Sequence, residues 1–223
     1  MATEKENTVK AEGQTEGYSR FSRIAGTGSK VLVIGNSITR HPPAPAIGWE
    51  YDWGMAAPSQ DKDFVHRLHK AFSKIEDAQF LIWQAADFER GFVQPGFALP
   101  EEEEAIAFRA DIIVGRLGEN VLPDAFSEGD WKRAYGDLIA RCMCSGSRVV
   151  LSTCFWDEPK VNTDIRALAA EKGWPLAELS DLGARNDTKA VGLFWHTGVA
   201  AHPGELGMEL IASRILQALG EKE

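Results

Sequence analysis

The run Val31-Leu32-Val33-Ile34-Gly35-Asn36-Ser37-Ile38-Thr39 is the clearest indication of fold class in this 223-residue chain. Four branched apolar residues in succession predict a strand that is buried on both faces, as in a parallel sheet covered by helices. The strand stops at a glycine and is followed directly by a serine. Because open α/β sheets bind their ligands at the carboxyl ends of the strands, we expect Ser37 to lie at a functional edge.

Further apolar runs predict four more strands, at 79–83, 111–115, 148–153 and 175–179. Between and after them, helical spacing of apolar residues predicts helices at 61–74, 101–109, 128–143, 162–172 and 205–219. Alternation of strands with helices is typical of an α/β protein in which helices cover both faces of a mostly parallel sheet. The sequence therefore predicts a three-layer α/β/α sandwich around a five-stranded sheet.

Composition predicts one globular domain. Residues 1–18 are polar and predict a disordered tail, and residues 19–223 have enough apolar residues for one core. The first residues contain no apolar run, so we expect no signal peptide and no membrane span, and a cytoplasmic location unless a leader has been removed. Cys142, Cys144 and Cys154 lack metal-site spacing, and we expect free thiols.

Charge restricts the class of partner. The net charge is −9 and no basic patch is visible in the sequence, whereas a nucleic-acid surface needs a basic stripe to bind phosphates. We therefore expect a small-molecule partner, with no nucleic acid and no membrane.

Two later segments offer partners for the serine: Gly118-Glu119-Asn120 and, before the last helix, His202-Pro203-Gly204. Together with Gly35-Asn36-Ser37, these blocks resemble the SGNH (GDSL-type) hydrolases, a family of esterases and lipases with a flavodoxin-like fold. The family usually has Gly-Asp-Ser in the first block and Gly-x-Asn-Asp in the second. The likeness extends over nearly all of the chain from about residue 30.

The resemblance implies a role for each residue. Ser37 would attack an ester carbonyl and His202 would take its proton. The oxyanion would be bound by the backbone N–H of Ser37, the side-chain amide of Asn120 and the N–H of a glycine. Gly54 is the best candidate for that glycine, and Gly91 is the next. The resemblance implies no cofactor and no metal.

The chain departs from the family at the triad acid. That acid normally lies three residues before the histidine, where this chain has Val199. Three arrangements stay open. The first is a backbone carbonyl that holds the imidazole in a Ser-His dyad, the second is an inactive site, and the third is an acid from elsewhere, with candidates Asp181, Asp187, Glu119 and Glu205.

A long loop with large aromatic residues follows the serine. Residues 40–59 are too rich in Pro and Gly for regular structure, yet they include Trp49 and Trp53. Long loops in compact domains are often functional, so we expect these tryptophans to bind substrate, together with Trp195 and Glu119. The alternative is a surface loop that its tryptophans attach to the core.

Other histidines have ordinary explanations as well as functional ones. His41 and His196 are alternative bases, although a solvated or hydrogen-bonded histidine is the commoner case. His66 and His69 share a helix face, but no third ligand accompanies them, so a metal site is not expected.

The sequence favours an esterase that hydrolyses small acyl esters, in particular acetyl esters of carbohydrates. The absence of a long apolar lid segment disfavours a lipase that acts on membranes. Two alternatives stay open: a lipid or thioester hydrolase of the same fold, and a carbohydrate-binding protein that has lost turnover.

Overall fold

The apolar run at 31–34 forms strand β2 (Lys30–Gly35) in the computed structural model, which describes residues 19–122, 124 and 126–221. The predicted tail at 1–18 lies outside the described residues. The other strands are β1 (Phe21–Ile24), β3 (Gln79–Gln84), β4 (Ala110–Arg116), β5 (Met143–Ser152) and β6 (Leu176–Ala177). They form one sheet in the order β1-β3-β2-β4-β5-β6, in which all pairs are parallel except β1 with β3.

The five predicted strands are all present, and the mostly parallel α/β sheet is confirmed. The sheet has a sixth strand that the sequence did not predict, because β1 is an antiparallel edge strand of four residues with a mixed polar and apolar pattern. Strand β5 also begins five residues before its predicted start, at Met143 rather than at residue 148.

Seven helices accompany the sheet in the described part of the chain. The predicted long helices correspond to α1 (Phe64–Phe72), α3 (Glu102–Phe108), α4 (Asp130–Cys142), α5 (Pro159–Lys172) and α7 (Glu205–Leu219). Two short helices were not predicted, α2 (Ala86–Gly91) and α6 (Thr197–Ala200), since one or two turns give too little periodicity to detect. No helix of the described residues is long and apolar enough to span a bilayer.

Two apolar clusters cover the two faces of the sheet. Successive side chains of a strand point to opposite faces, so Leu32 and Ile34 join one cluster while Val31 and Val33 join the other. Residues of α3, α4 and α5 pack in the first cluster, and residues of α1 and α7 pack in the second. This arrangement is the predicted three-layer sandwich. Cys142, Cys144 and Cys154 are free, as expected.

A third, smaller cluster attaches the loop after β2 to the region of α6. Trp49 is fully buried there against Met55, Ala56, Ala190 and Val199. The loop at 40–59 is thus ordered by packing. The same contacts hold it against the segment that includes Ala190 and Val199.

The last residue of β2, Gly35, must be a glycine because the side chain of Thr39 packs close to its Cα. A Cβ at this position would lie 1.9 Å from Oγ1 and 2.7 Å from Cβ of Thr39. We predict that Gly35→Ala lowers the free energy of unfolding by about 1–3 kcal/mol or more, because overpacking displaces the buried turn. Urea denaturation measures the change.

A second substitution, Thr39→Ala, tests whether this close approach causes the loss of stability. It removes the hydroxyl that the new methyl group meets, so the double variant should recover part of the lost free energy of unfolding. A Gly35→Ala protein as stable as the parent would contradict this explanation.

Candidate active site

Ser37 and His202 meet at the carboxyl edge of the sheet. Ser37 follows β2 directly, and His202 lies in the connection between α6 and α7. The Oγ atom of Ser37 lies 2.9 Å from Nε2 of His202, within hydrogen-bond distance. Residues 165 positions apart are therefore placed as a nucleophile and a base would be.

The second nitrogen of His202 is bound to the backbone. Nδ1 donates to the carbonyl oxygen of Gly198 at 2.7 Å, which leaves Nε2 free to accept the proton of Ser37. The ring of Trp156 packs edge-on against the imidazole, with centroids 5.1 Å apart. Burial lowers the pKa of His202 to about 4, so the imidazole is neutral at pH 7.

No carboxylate of the described residues contacts His202. Val199 is packed in the apolar cluster with Trp49 and cannot substitute for the acid. Glu119 pairs with Arg116. The three other candidate acids also bind elsewhere: Asp181 to Arg214, Asp187 to Arg185 and Glu205 to Lys62. Of the three arrangements left open by the sequence, the geometry fits the one in which a backbone carbonyl holds the imidazole.

Asn120 borders the same cavity as Ser37 and His202. Its Nδ2 donates to Oε2 of Glu89 at 2.5 Å, and its Oδ1 accepts from Nη2 of Arg90 at 3.3 Å. The side-chain amide is therefore fixed in orientation at both ends. One N–H of the amide group remains for another acceptor, because an asparagine side chain has two.

Glu89, on α2, holds the loops after β2 and β4 together. Its Oε1 accepts from Nδ2 of Asn36 at 3.0 Å and from the N–H of Gly118 at 2.5 Å, in addition to the bond from Asn120. Burial, reinforced by the charge of Glu119, raises the pKa of Glu89 above its usual range. The sequence does not indicate this residue, because a glutamate on a short, unpredicted helix carries no local signal of its role.

Glu119 lies in this buried polar network and not in the cavity. Its side chain and that of Arg116 form an ion pair with almost no solvent exposure. Glu119 also accepts from the N–H of Phe155 at 2.9 Å, and Arg116 donates to Oδ1 of Asn36 at 3.1 Å. The structure gives Glu119 a structural position and does not bring it to the cavity as a substrate-binding residue.

The two glycines considered as oxyanion donors do not border the cavity. The N–H of Gly54 donates to Oδ2 of Asp63 at 3.3 Å, and Gly91 packs against the ring of Phe97. Ala86 borders the cavity instead. As the first residue of α2, Ala86 has a backbone N–H without an acceptor inside the helix.

The cavity has a volume of about 420 Å³. None of the three predicted tryptophans lines it. Trp49 is buried, Trp53 stacks on Tyr51 and donates from Nε1 to the carbonyl of Ala57, and Trp195 is 72% exposed beside Gly48. The loop after β2 does line the cavity, but with other side chains: His41, Pro42, Pro43, Ala44, Ile47 and Met55.

The remaining histidines are hydrogen-bonded elsewhere. His41 borders the cavity and its Nδ1 donates to the carbonyl of Pro42 at 2.7 Å, while Nδ1 of His196 accepts from the N–H of Val199 at 3.3 Å. On α1, His66 binds Asp63 and His69 binds Ser73. Within the described ranges, no group of three or more metal-ligating side chains occurs.

Comparison with known proteins gives structural neighbours only. No protein-family model matches the sequence, and no curated protein matches it. Among solved structures, the acetyl xylan esterase Axe2 from Geobacillus stearothermophilus superposes with a TM-score of 0.58 at 16% identity, covering 89% of this chain and 97% of that one. A protein from Parabacteroides merdae described as a GDSL-like lipase gives 0.55 at 14% identity, covering 87% and 96%.

A two-domain esterase active on acetylated mannans, co-crystallised with mannopentaose, gives a TM-score of 0.56 at 13% identity, covering 87% of this chain and 51% of that one. The chain has the fold of the SGNH hydrolases. These superpositions and the topology of the sheet confirm the expected fold. Sequence identities of this size show the fold alone.

Titration of His202 tests the environment described for its ring. We predict that its imidazole titrates with a midpoint near pH 4, because burial disfavours the cation. An unperturbed histidine would titrate near pH 6.5. Proton–carbon correlation spectra of the histidine Cε1–H groups, assigned with His202→Ala, measure the midpoint. A midpoint near 6.5 would contradict the buried, neutral ring.

Proposed function

We propose that this chain is a serine esterase that hydrolyses small acyl esters, with acetyl esters of carbohydrates as the favoured class. The observation that carries the proposal is the 2.9 Å contact between Ser37 Oγ and His202 Nε2 in a cavity that Asn120 also borders. A nucleophile, a base and an amide donor in one cavity are the parts that acyl transfer requires.

In the first half of the reaction, Ser37 Oγ forms a bond to the ester carbonyl carbon while its proton moves to Nε2 of His202. The tetrahedral intermediate then expels the alcohol, which takes that proton from His202. In the second half, water attacks the acyl-serine with His202 again as base. The carboxylic acid leaves and Ser37 recovers its proton.

The oxyanion of the intermediate needs donors placed in advance. We assign the backbone N–H of Ser37, the remaining Nδ2–H of Asn120 and the N–H of Ala86. Ala86 takes the place expected for Gly54, because it borders the cavity while the N–H of Gly54 is bonded to Asp63.

The base works as a dyad in this proposal. The carbonyl of Gly198 fixes the tautomer in which Nε2 is unprotonated, which is one function of the aspartate in a triad. A carbonyl dipole stabilises the imidazolium less than a carboxylate does. We therefore expect a weaker base than in a complete triad, and one that stays unprotonated in mildly acidic solution.

The substrate class rests on the neighbours and on the cavity. One of the compared proteins is an acetyl xylan esterase and another is active on acetylated mannans. The cavity here includes charged side chains, Arg20, Asp87 and Arg90, which suit a polar substrate better than a long acyl chain.

Turnover by paired variants tests the proposal. We expect hydrolysis of p-nitrophenyl acetate by the parent and a loss of at least about a thousandfold in Ser37→Ala and in His202→Ala, because either change removes the nucleophile–base pair. Two matched controls should retain activity: Ser127→Ala, which changes an exposed serine, and His69→Ala, which changes a histidine on α1. Circular dichroism confirms folding of each variant.

No turnover by the folded parent would overturn the esterase proposal. Binding of an acetylated sugar by that inactive protein would then favour the alternative of a carbohydrate-binding protein. Activity that rises steeply with acyl length would instead favour the lipid or thioester hydrolase.

A second pair of variants tests how Asn120 is held. We expect Asn120→Ala to lower kcat about a hundredfold to a thousandfold, as for loss of one oxyanion donor. Glu89→Gln should lower kcat about tenfold with little change in KM, because it removes a carboxylate that fixes the amide.

The double variant separates positioning from a general structural role. If Glu89 acts through Asn120, adding Glu89→Gln to Asn120→Ala should cost little more. Losses that multiply in the double variant, or Glu89→Gln activity equal to that of the parent, would contradict this role.

A further inference from the structure

Two arginines line the cavity that contains Ser37: Arg20 before β1 and Arg90 on α2. One carboxylate, Asp87, accompanies them. The whole chain carries a net charge of −9, so an excess of positive charge at this cavity runs against its overall balance. A local excess of positive charge in a cavity favours a ligand that carries negative charge.

Arg20 is already neutralised. It forms an ion pair with Asp87, and its Nη1 donates to Oε1 of Gln84 at 3.1 Å. Its side chain is 25% exposed. Arg20 therefore has a carboxylate partner of its own in the cavity wall, through Oδ2 of Asp87.

Arg90 has much weaker partners among the described residues. Its Nη2 donates to the neutral Oδ1 of Asn120 at 3.3 Å, and its Nη1 lies 3.6 Å from Asp87, which Arg20 already binds. The Arg90 side chain is 58% exposed. A guanidinium has five N–H donors, so most of those on Arg90 can bind a ligand.

Apart from Asp87, no titratable group of the described residues pairs with Arg90. His202 is neutral at pH 7 and burial lowers the pKa of His41, so neither ring adds charge to the cavity. Glu119 is paired with Arg116 away from the cavity. Glu89 does not border the cavity, and both of its carboxyl oxygens are bound, by Asn36, Gly118 and Asn120. Among the described residues that line the cavity, Arg90 is thus the cation with donors available to a ligand.

We propose that the substrate carries a carboxylate on its alcohol part, such as an acetylated sugar acid, and that Arg90 binds this carboxylate beside the oxyanion donor Asn120. The proposal rests on the proposed function and narrows its substrate class. A planar guanidinium pairs with a carboxylate through two parallel hydrogen bonds, which suits a specificity contact. The exposed position of Arg90 fits the alcohol part, because in an acetyl ester of a sugar the alcohol is the larger part and extends farther from the reacting carbonyl than the methyl group does.

A matched pair of acetyl esters tests the proposal. 4-Acetoxybenzoate and its methyl ester share the acetyl group and the aromatic alcohol, and differ in one carboxylate. We expect the ratio of their kcat/KM values, charged over neutral, to fall about fivefold to tenfold in Arg90→Gln. Arg133→Gln, which changes an exposed arginine on α4, should leave the ratio unchanged.

The ratio isolates recognition of the carboxylate from a second effect of the variant. Arg90 also holds Asn120, so Arg90→Gln is expected to slow both esters. A loss that is equal for the two esters would show a positioning role alone and overturn the proposal. A preference for a carboxylate on the acyl part, measured with 4-nitrophenyl hemiglutarate against 4-nitrophenyl pentanoate, would overturn the placement on the alcohol.

Binding to an inactive variant keeps this test independent of turnover. Calorimetric titration of Ser37→Ala with the two acetoxybenzoates should give tighter binding of the charged ester. Arg90→Gln in the same background should remove that difference. Equal binding of the two esters by Ser37→Ala would overturn the carboxylate proposal even if the parent is an active esterase, and the predicted difference would support it even if the parent shows no turnover.

Discussion

The buried carboxyl of Glu89 is the constraint on which the carboxyl edge of the sheet depends. It joins α2 to the loops after β2 and β4, and the neighbouring Arg116–Glu119 pair extends the connection to the loop after β5. Buried charges are costly unless every one has partners, and removing one partner leaves the others unsatisfied. The network therefore holds the loops in one arrangement, in which Asn120 and Ser37 border the same cavity.

The base is held in a different way. In the family that the sequence resembles, a carboxylate normally orients the histidine, whereas here Val199 is part of an apolar cluster and the carbonyl of Gly198 binds Nδ1 of His202. Apolar packing thus sets the position of the segment that provides the carbonyl. Compared with a triad, the proposed dyad stabilises the imidazolium less. Its imidazole ring is, however, neutral over a wide range of pH.

Elements with long-range periodicity could be predicted from the sequence, and so could the approximate site. The run at 31–34 indicated β2, and the three motif blocks indicated the residues that the structure brings together around one cavity. Strand β1 and helices α2 and α6 are too short for a periodic signal. The tryptophans and Gly54 were expected in the site, but whether such a residue is buried, exposed or hydrogen-bonded elsewhere depends on tertiary packing that local sequence does not express. Glu89 could not be found because its role depends on partners 29–53 positions away.

Covalent labelling of Ser37 is the most direct test of its activation by His202. We expect diethyl p-nitrophenyl phosphate to add one diethylphosphoryl group to the folded chain, at Ser37 by peptide mass spectrometry, and we expect His202→Ala to slow this labelling strongly. Labelling of Ser37 that depends on His202 would show that the Gly198-bound imidazole activates the serine without a carboxylate. A folded protein that stays unlabelled, or that is labelled equally fast without His202, would contradict this activation.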